Sequence, residues 1–202
     1  MKPLFSTNPS TGIKIKSFSQ HSDSKISNML SKASEAQKSW EKSSLQFRLS
    51  CIKRLSEVLS DSKKEYSILM AEEMGKPYKQ GVGEIEKCIW LCNYYIENSE
   101  QFLKDNNILA GDQRGFVTMQ PLGIILGIMP WNFPFWQVFR FAVPSLIVGN
   151  GAVLKHASNV QGCAFSIESC FLNSGFPNYL FQNFSISSNR VSSVIENSKI
   201  SA

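Results

Sequence analysis

Histidine is nearly missing from this sequence: only His21 and His156 occur in 202 residues, and the cysteines spaced for one helix face, Cys88 and Cys92, have neither beside them. Transition-metal sites draw on clustered cysteine, histidine and carboxylate ligands, so no metal is expected and this pair is read as helix packing. The cysteines total five, an odd number, and Met1 to Pro9 lacks the charged start, apolar middle and cleavage site of a secretory leader. Reduced thiols and cytoplasmic residence are expected in place of a disulfide framework. Long apolar runs are also missing. The richest stretch, Pro121 to Leu154, is broken by Pro130, Asn132, Pro134, Gln137, Arg140 and Pro144, whereas a membrane span needs about 20 predominantly apolar residues. That stretch reads as buried core, with no membrane partner. Nor is there a basic block. The net charge of +5 is dispersed through Lys14, Lys16, Lys63 and Lys64 with acidic residues between them, so no nucleic-acid partner is expected.

A hydrophobic content of 43% suffices for one domain, or one domain and a fragment of another. Asn8-Pro9-Ser10-Thr11-Gly12 is turn chemistry, and Ile13, Ile15 and Phe18 after it suggest a short, peripheral strand or hairpin. From Ser24 to Trp40, the residues Ile26, Met29, Leu30, Ala33 and Ala36 recur at three and four, the period of an amphipathic helix. Ser44 caps a second helix carrying Leu45, Leu49, Ile52, Leu55, Val58 and Leu59. Asp61 is placed to cap a third, which stops at Gly75-Lys76-Pro77, and a longer helix follows from about Gln80 to Phe102. At Arg114 the period changes to the alternation of Phe116, Val117 and Met119. Thereafter strands at 124–129, 151–155 and 178–184 alternate with helices at 135–148, 159–173 and 190–197, and Lys199 to Ala202 enters a further strand. The expected fold class is α/β, with a helical part over residues 1–113 and βαβ units of a parallel sheet over 114–202.

In an open parallel sheet, ligands sit outside the carboxyl ends of the strands. Those positions are Pro130 to Pro134 and Lys155 to Ser158. Asn132 lies between two aromatics in a turn stiffened by a proline on each side. Two readings of it are open: its amide donates to a developing oxyanion, or it serves ordinary helix-capping and turn chemistry.

Met129-Pro130-Trp131-Asn132-Phe133-Pro134, followed by Val153-Leu154-Lys155-His156-Ala157-Ser158, resembles the aldehyde dehydrogenase superfamily. The resemblance runs from Asn8-Pro9 through Glu72-Glu73-Met74-Gly75-Lys76-Pro77 to the last residue. It implies an incomplete cofactor domain, with 1–113 its helical part, 114–202 a truncated Rossmann-like portion and the catalytic domain absent. By the resemblance, Asn132 is the oxyanion-hole asparagine. Ile128, Met129, Pro130 and Trp131 form the wall beside the nicotinamide. Lys155, with Ala157 and Ser158, meets the cofactor ribose. The family often has glutamate where Ser158 stands, and a neutral serine removes repulsion against a 2′-phosphate, so NADP is favoured over NAD, with dual use open. His156 replaces the family's common proline and is read as shaping the turn.

Arg140 stands among apolar residues on a helix expected to be largely buried, sharing a face with Phe133 and Gln137. Succinate-semialdehyde dehydrogenases resemble the chain in carrying a substrate-carboxylate arginine at this place, and a planar guanidinium suits that task. A structural ion pair is the other reading. The family's nucleophilic cysteine and activating glutamate lie beyond position 202, as does the Gly-rich loop that receives the pyrophosphate. Cys163, after Gln161-Gly162, is on the wrong element to replace the nucleophile, and both it and Cys170 are read as packing. Glu72, Glu84 and Glu86 are read as solvated helix charges. Three expectations follow for the chain alone: an inactive amino-terminal product, one half of a split enzyme completed by a carboxyl-terminal chain at the exposed sheet edge, or a non-enzymatic nucleotide- or partner-binding module.

Overall fold

The Asn8 to Gly12 turn closes a hairpin of β1 (Leu4–Thr7) and β2 (Lys14–Phe18). Gly12 takes the left-handed conformation, φ 71°, that a side chain would oppose. The computed structural model describes residues 1–110 and 113–202, so residues 111 and 112, close to the expected boundary at 113/114, lie outside the described residues. The hairpin is not peripheral: Ser6 is fully buried against Glu73, and the Phe18 ring stacks on Phe165 at 5.6 Å.

Four helices follow. Ser22 caps α1 (Asp23–Trp40) and Ser44 caps α2 (Leu45–Asp61), each through its hydroxyl. Asp61 does not cap α3 (Lys63–Met74). It is the last residue of α2, and with Ser62 alone between the two helices it has no extended position from which to accept the bond. Gly75, φ 74°, terminates α3 in the left-handed conformation, and Pro77 introduces α4 (Tyr78–Phe102). A second hairpin pairs β3 (Asn106–Ala110) with β4 (Gln113–Val117) where one strand was expected. Ile108, Leu109, Phe116 and Val117 are all exposed, so β3 carries no in-and-out alternation to reveal it.

The sheet comprises β5 (Ile124–Met129), β6 (Gly151–His156) and β7 (Phe181–Asn183), parallel and in that order. Connecting them are α5 (Trp136–Val148) and α6 (Gln161–Asn173), and a 3-10 turn, Ser188–Arg190, leads to α7 (Val191–Ile195). β7 is shorter than expected because Leu180 N–H closes a turn on Pro177 and Tyr179 adopts φ 69°, which no strand tolerates. After α7 the chain returns to the far side of β5: Ile200 bridges Ile124 in parallel, and Leu126 N–H donates to Ala202 at 2.8 Å.

Every residue of β6 is buried, as a central strand between two layers requires. Val153 packs on one face with Ile26, Leu30 and Ala33 of α1 and Val194 of α7. Leu154 packs on the other among α2 through α6, in a cluster that includes Trp40, Phe135, Phe139 and Phe171. Among the described residues no helix is long and apolar enough to cross a membrane.

Candidate active site

From β5 the chain moves outward through β6 to β7, then reverses to the opposite side. The crevice at such a reversal, outside the strands' carboxyl ends, is where open α/β sheets bind ligands. The two motif turns meet there. Ile128 pairs with Lys155 and Met129 with His156, and Ala157 N–H donates to Met129 at 3.0 Å. Ile128, Trp131 and Phe133 are about half exposed, and Asn132 is exposed. A cleft of about 360 Å³ runs along Leu126 and Ile128 toward Ile195, Ile200 and Ser201.

The turn carrying Asn132 is held from behind. His156, fully buried, bonds Pro134 carbonyl through Nε2 at 2.9 Å and accepts from Ala157 N–H through Nδ1 at 2.8 Å. Nε2 must therefore carry the proton. Burial pushes this imidazole down to about 4, so near neutral pH it is an uncharged tie between the two turns.

Glu84 overturns its reading as a solvated charge. Its carboxylate is buried, ion-paired with the buried Lys76, and accepts from Phe135 N–H at 2.8 Å and Trp136 N–H at 3.0 Å, capping α5 from 51 residues away. Glu73 does the same for α6, accepting from Gly162 and Cys163 N–H, each at 2.8 Å, and from Ser6. A Cβ at Gly162 would sit 2.6 Å from that carboxylate, which accounts for the glycine before Cys163. The sequence signal for Glu84 was its register, since it lies with Gly81, Ile85, Cys88 and Cys92 on the buried side of α4. Glu72 and Glu86 are exposed as expected, Glu86 bonding Lys63 at the surface.

Arg140 is exposed, contrary to the expectation of burial, and enters no ion pair among the described residues. The helix turns its apolar face (Val138, Phe139, Ala142) inward and presents Gln137 and Arg140 outward, on the side of the exposed Phe133 in the preceding turn. All five cysteines are buried and free. Desolvation pushes Cys170 up to about 11, Cys92 to about 12, and Cys88 and Cys163 well above the ordinary thiol range, so none of these is a ready nucleophile.

The fit of a dinucleotide rests on Lys155. Its ammonium is buried and lowered in pKa by desolvation, its one side-chain hydrogen bond goes to His156 carbonyl at 2.9 Å, and no carboxylate lies in ion-pair range among the described residues. An under-partnered cation beside half-buried Ser158 suits a sugar hydroxyl or phosphate oxygen. The starts of α5 and α6 already hold carboxylates, so neither is free for a pyrophosphate.

These features define an open α/β domain with its two motif turns at a topological switch point. The chain belongs to the aldehyde dehydrogenase family, whose model matches residues 2–201. It is 38% identical to a probable NADP-dependent succinate-semialdehyde dehydrogenase of Synechocystis sp. over 96% of the chain. It is 36% identical over 98% to an NAD(P)-dependent succinate semialdehyde dehydrogenase of Escherichia coli. In each case it spans 43% of the relative's length. The structure of succinic semialdehyde dehydrogenase from Streptococcus pyogenes in complex with NADP superposes with a TM-score of 0.94 at 29% identity, over 98% of this chain and 44% of that one.

Proposed function

We propose that residues 1–202 form the coenzyme- and oxyanion-binding part of an NADP-preferring aldehyde dehydrogenase whose substrate is an aldehyde bearing a carboxylate, succinate semialdehyde. The observation that carries this reading is the outward face of α5. In line with Phe133 of the Asn132 turn it offers Gln137 and an Arg140 with no internal ion-pair partner among the described residues. Phe133 packs on the substrate chain, Gln137 lines its path, and Arg140 holds the distant carboxylate through paired N–H donors. The Asn132 amide donates to the aldehyde oxygen as charge develops there. Lys155 and Ser158 hold the ribose and its 2′-phosphate, with Ala157 between them, and Ile128 to Trp131 back the nicotinamide, which supplies the hydride acceptor when NADP is bound. The names of the Synechocystis and Streptococcus relatives support both the substrate and the coenzyme.

The five thiols of this chain are sealed in its core, so these residues do not oxidise aldehydes by themselves. The nucleophile and the activating glutamate come from residues carboxyl-terminal to them, in the same chain or in a second one. The test is reduction of NADP and NAD with succinate semialdehyde and with uncharged butanal, for the chain alone and with the translated downstream sequence. Turnover only in the completed protein, with Arg140→Leu costing at least about 10-fold in kcat/KM for succinate semialdehyde and little for butanal, is expected. Equal loss on both aldehydes would remove Arg140 from substrate recognition, and turnover by the chain alone would overturn the need for completion.

A further inference from the structure

We infer that Glu84 and Lys76 are positioning residues for Asn132, acting from the helical part of the chain on the residues that directly follow it, Phe133 and the start of α5. The inference rests on the oxyanion reading of Asn132. Phe135 occupies the cap position of α5 and offers no side-chain acceptor, so the helix start would otherwise draw on the nearest local capping residue, which is Asn132. Glu84 removes that demand. One of its carboxylate oxygens satisfies both Phe135 and Trp136 N–H, and the Asn132 amide makes no hydrogen bond among the described residues.

The other carboxylate oxygen pairs with Lys76, whose ammonium lies 4.0 Å from the centroid of the Phe133 ring. A single buried ion pair thus touches the residue after Asn132 through a cation–π contact and the helix start through two hydrogen bonds. The His156 bond to Pro134 fixes the residue between them. Lys76 is itself fixed by the Gly75 helix stop, which places it one residue before Pro77 and eight before Glu84. Glu73 provides an internal comparison: it is as deeply buried and also accepts from two N–H groups at a helix start, but at α6 and without a lysine.

The experiment is nuclear magnetic resonance of the 15N-labelled chain, following the Trp131 indole and the Asn132 side-chain amide. Each is assigned by its loss on Trp131→Phe or Asn132→Ala. Glu84→Gln keeps an acceptor for the helix start but removes the charge facing Lys76, and Lys76→Met keeps the Glu84 cap but removes the cation over Phe133. Both are expected to shift or broaden the Trp131 and Asn132 signals, whereas Glu73→Gln leaves them in place and perturbs Ala157, Ser158 and Gly162. In the completed enzyme, Glu84→Gln and Lys76→Met are expected to lower kcat by about 10- to 100-fold with KM for NADP within about 2-fold, as a misplaced reacting group does. Signals indifferent to both substitutions, or moved equally by Glu73→Gln, would overturn the inference. If the completed wild-type protein does not oxidise the aldehyde, the proposed function fails and the Trp131 and Asn132 signals still decide whether the pair holds the turn.

Discussion

At the scale of residues, the chain spends its buried charges on helix starts. Glu73 and Glu84 are carboxylates whose partners are mostly backbone N–H groups, an arrangement that complements the positive end of a helix. Because each approaches so closely, its surroundings tolerate little change. Gly162→Ala is expected to lower stability by about 1–3 kcal/mol in urea unfolding, since the new Cβ meets the Glu73 carboxylate. Gly83→Ala, on the same helix as Glu84 with open space at its Cβ, is expected to be neutral or stabilising by under about 1 kcal/mol. The thiols make a second prediction. With five buried free cysteines, Ellman's reagent should label none rapidly in the native chain and all five in denaturant, and one fast-reacting native thiol would contradict their sealing. In the completed enzyme, Asn132→Ala is expected to cut kcat by about 10²- to 10³-fold, while Cys163→Ala, at a thiol sealed in the core, should leave the rate of the remaining folded protein nearly unchanged.

At the scale of elements, whatever is locally periodic was legible in the sequence and whatever depends on a distant partner was not. Ser44 and Gly75 mark helix ends because capping and a left-handed stop are local chemistry. The strands expected at 124–129 and 151–155 stand out as apolar runs, β6 being buried throughout and β5 in part. β3 went unseen because its exposed side chains follow no alternation, and β7 contracted because Tyr179 leaves the extended region. The site divides the same way. The placing of Asn132 after β5, and of Lys155 and Ser158 at the carboxyl end of β6, was legible from the strand pattern and the family motifs. Arg140 was noticed, but its exposure was misjudged, because a helix rich in apolar residues still has an outer face once one side covers the sheet. Glu84 was misread because a glutamate on a helix is ordinarily solvated, and the two amides it serves lie on α5, an element with no nearby link in sequence.

At the scale of the whole molecule, the two histidines make stability depend on acid. His21 and His156 are both held down to about 4, first by burial, whereas in the unfolded chain each titrates near 6.5. Between those values the unfolded state binds more protons, so the folded state is stabilised as pH rises. Their contribution is fully present above about 6.5 and is lost as pH falls toward 4. Each supplies a slope of at most about 1.4 kcal/mol per pH unit. Glu168, raised by burial, acts with opposite sign and reduces the sum. Urea unfolding at pH 7, 6 and 5 should show a steadily falling free energy, and His21→Gln should flatten that decline. A stability independent of pH over this range would contradict the buried neutral histidines.

The two glutamate caps also impose an order in time. Glu84 precedes the amides it caps by 51 residues and Glu73 precedes Gly162 by 89, and a ribosome adds roughly 5–20 residues per second. The carboxylates therefore emerge about 3–10 s and about 4–18 s before the helix starts they serve. During that interval Glu84 can already face Lys76 across the α3 to α4 connection, so the first of the two turns is received by an acceptor set in place beforehand. Glu73 has only Ser6 of the leading hairpin for company until α6 arrives. In chain order, the acceptors for the starts of α5 and α6 are made before the turns they hold.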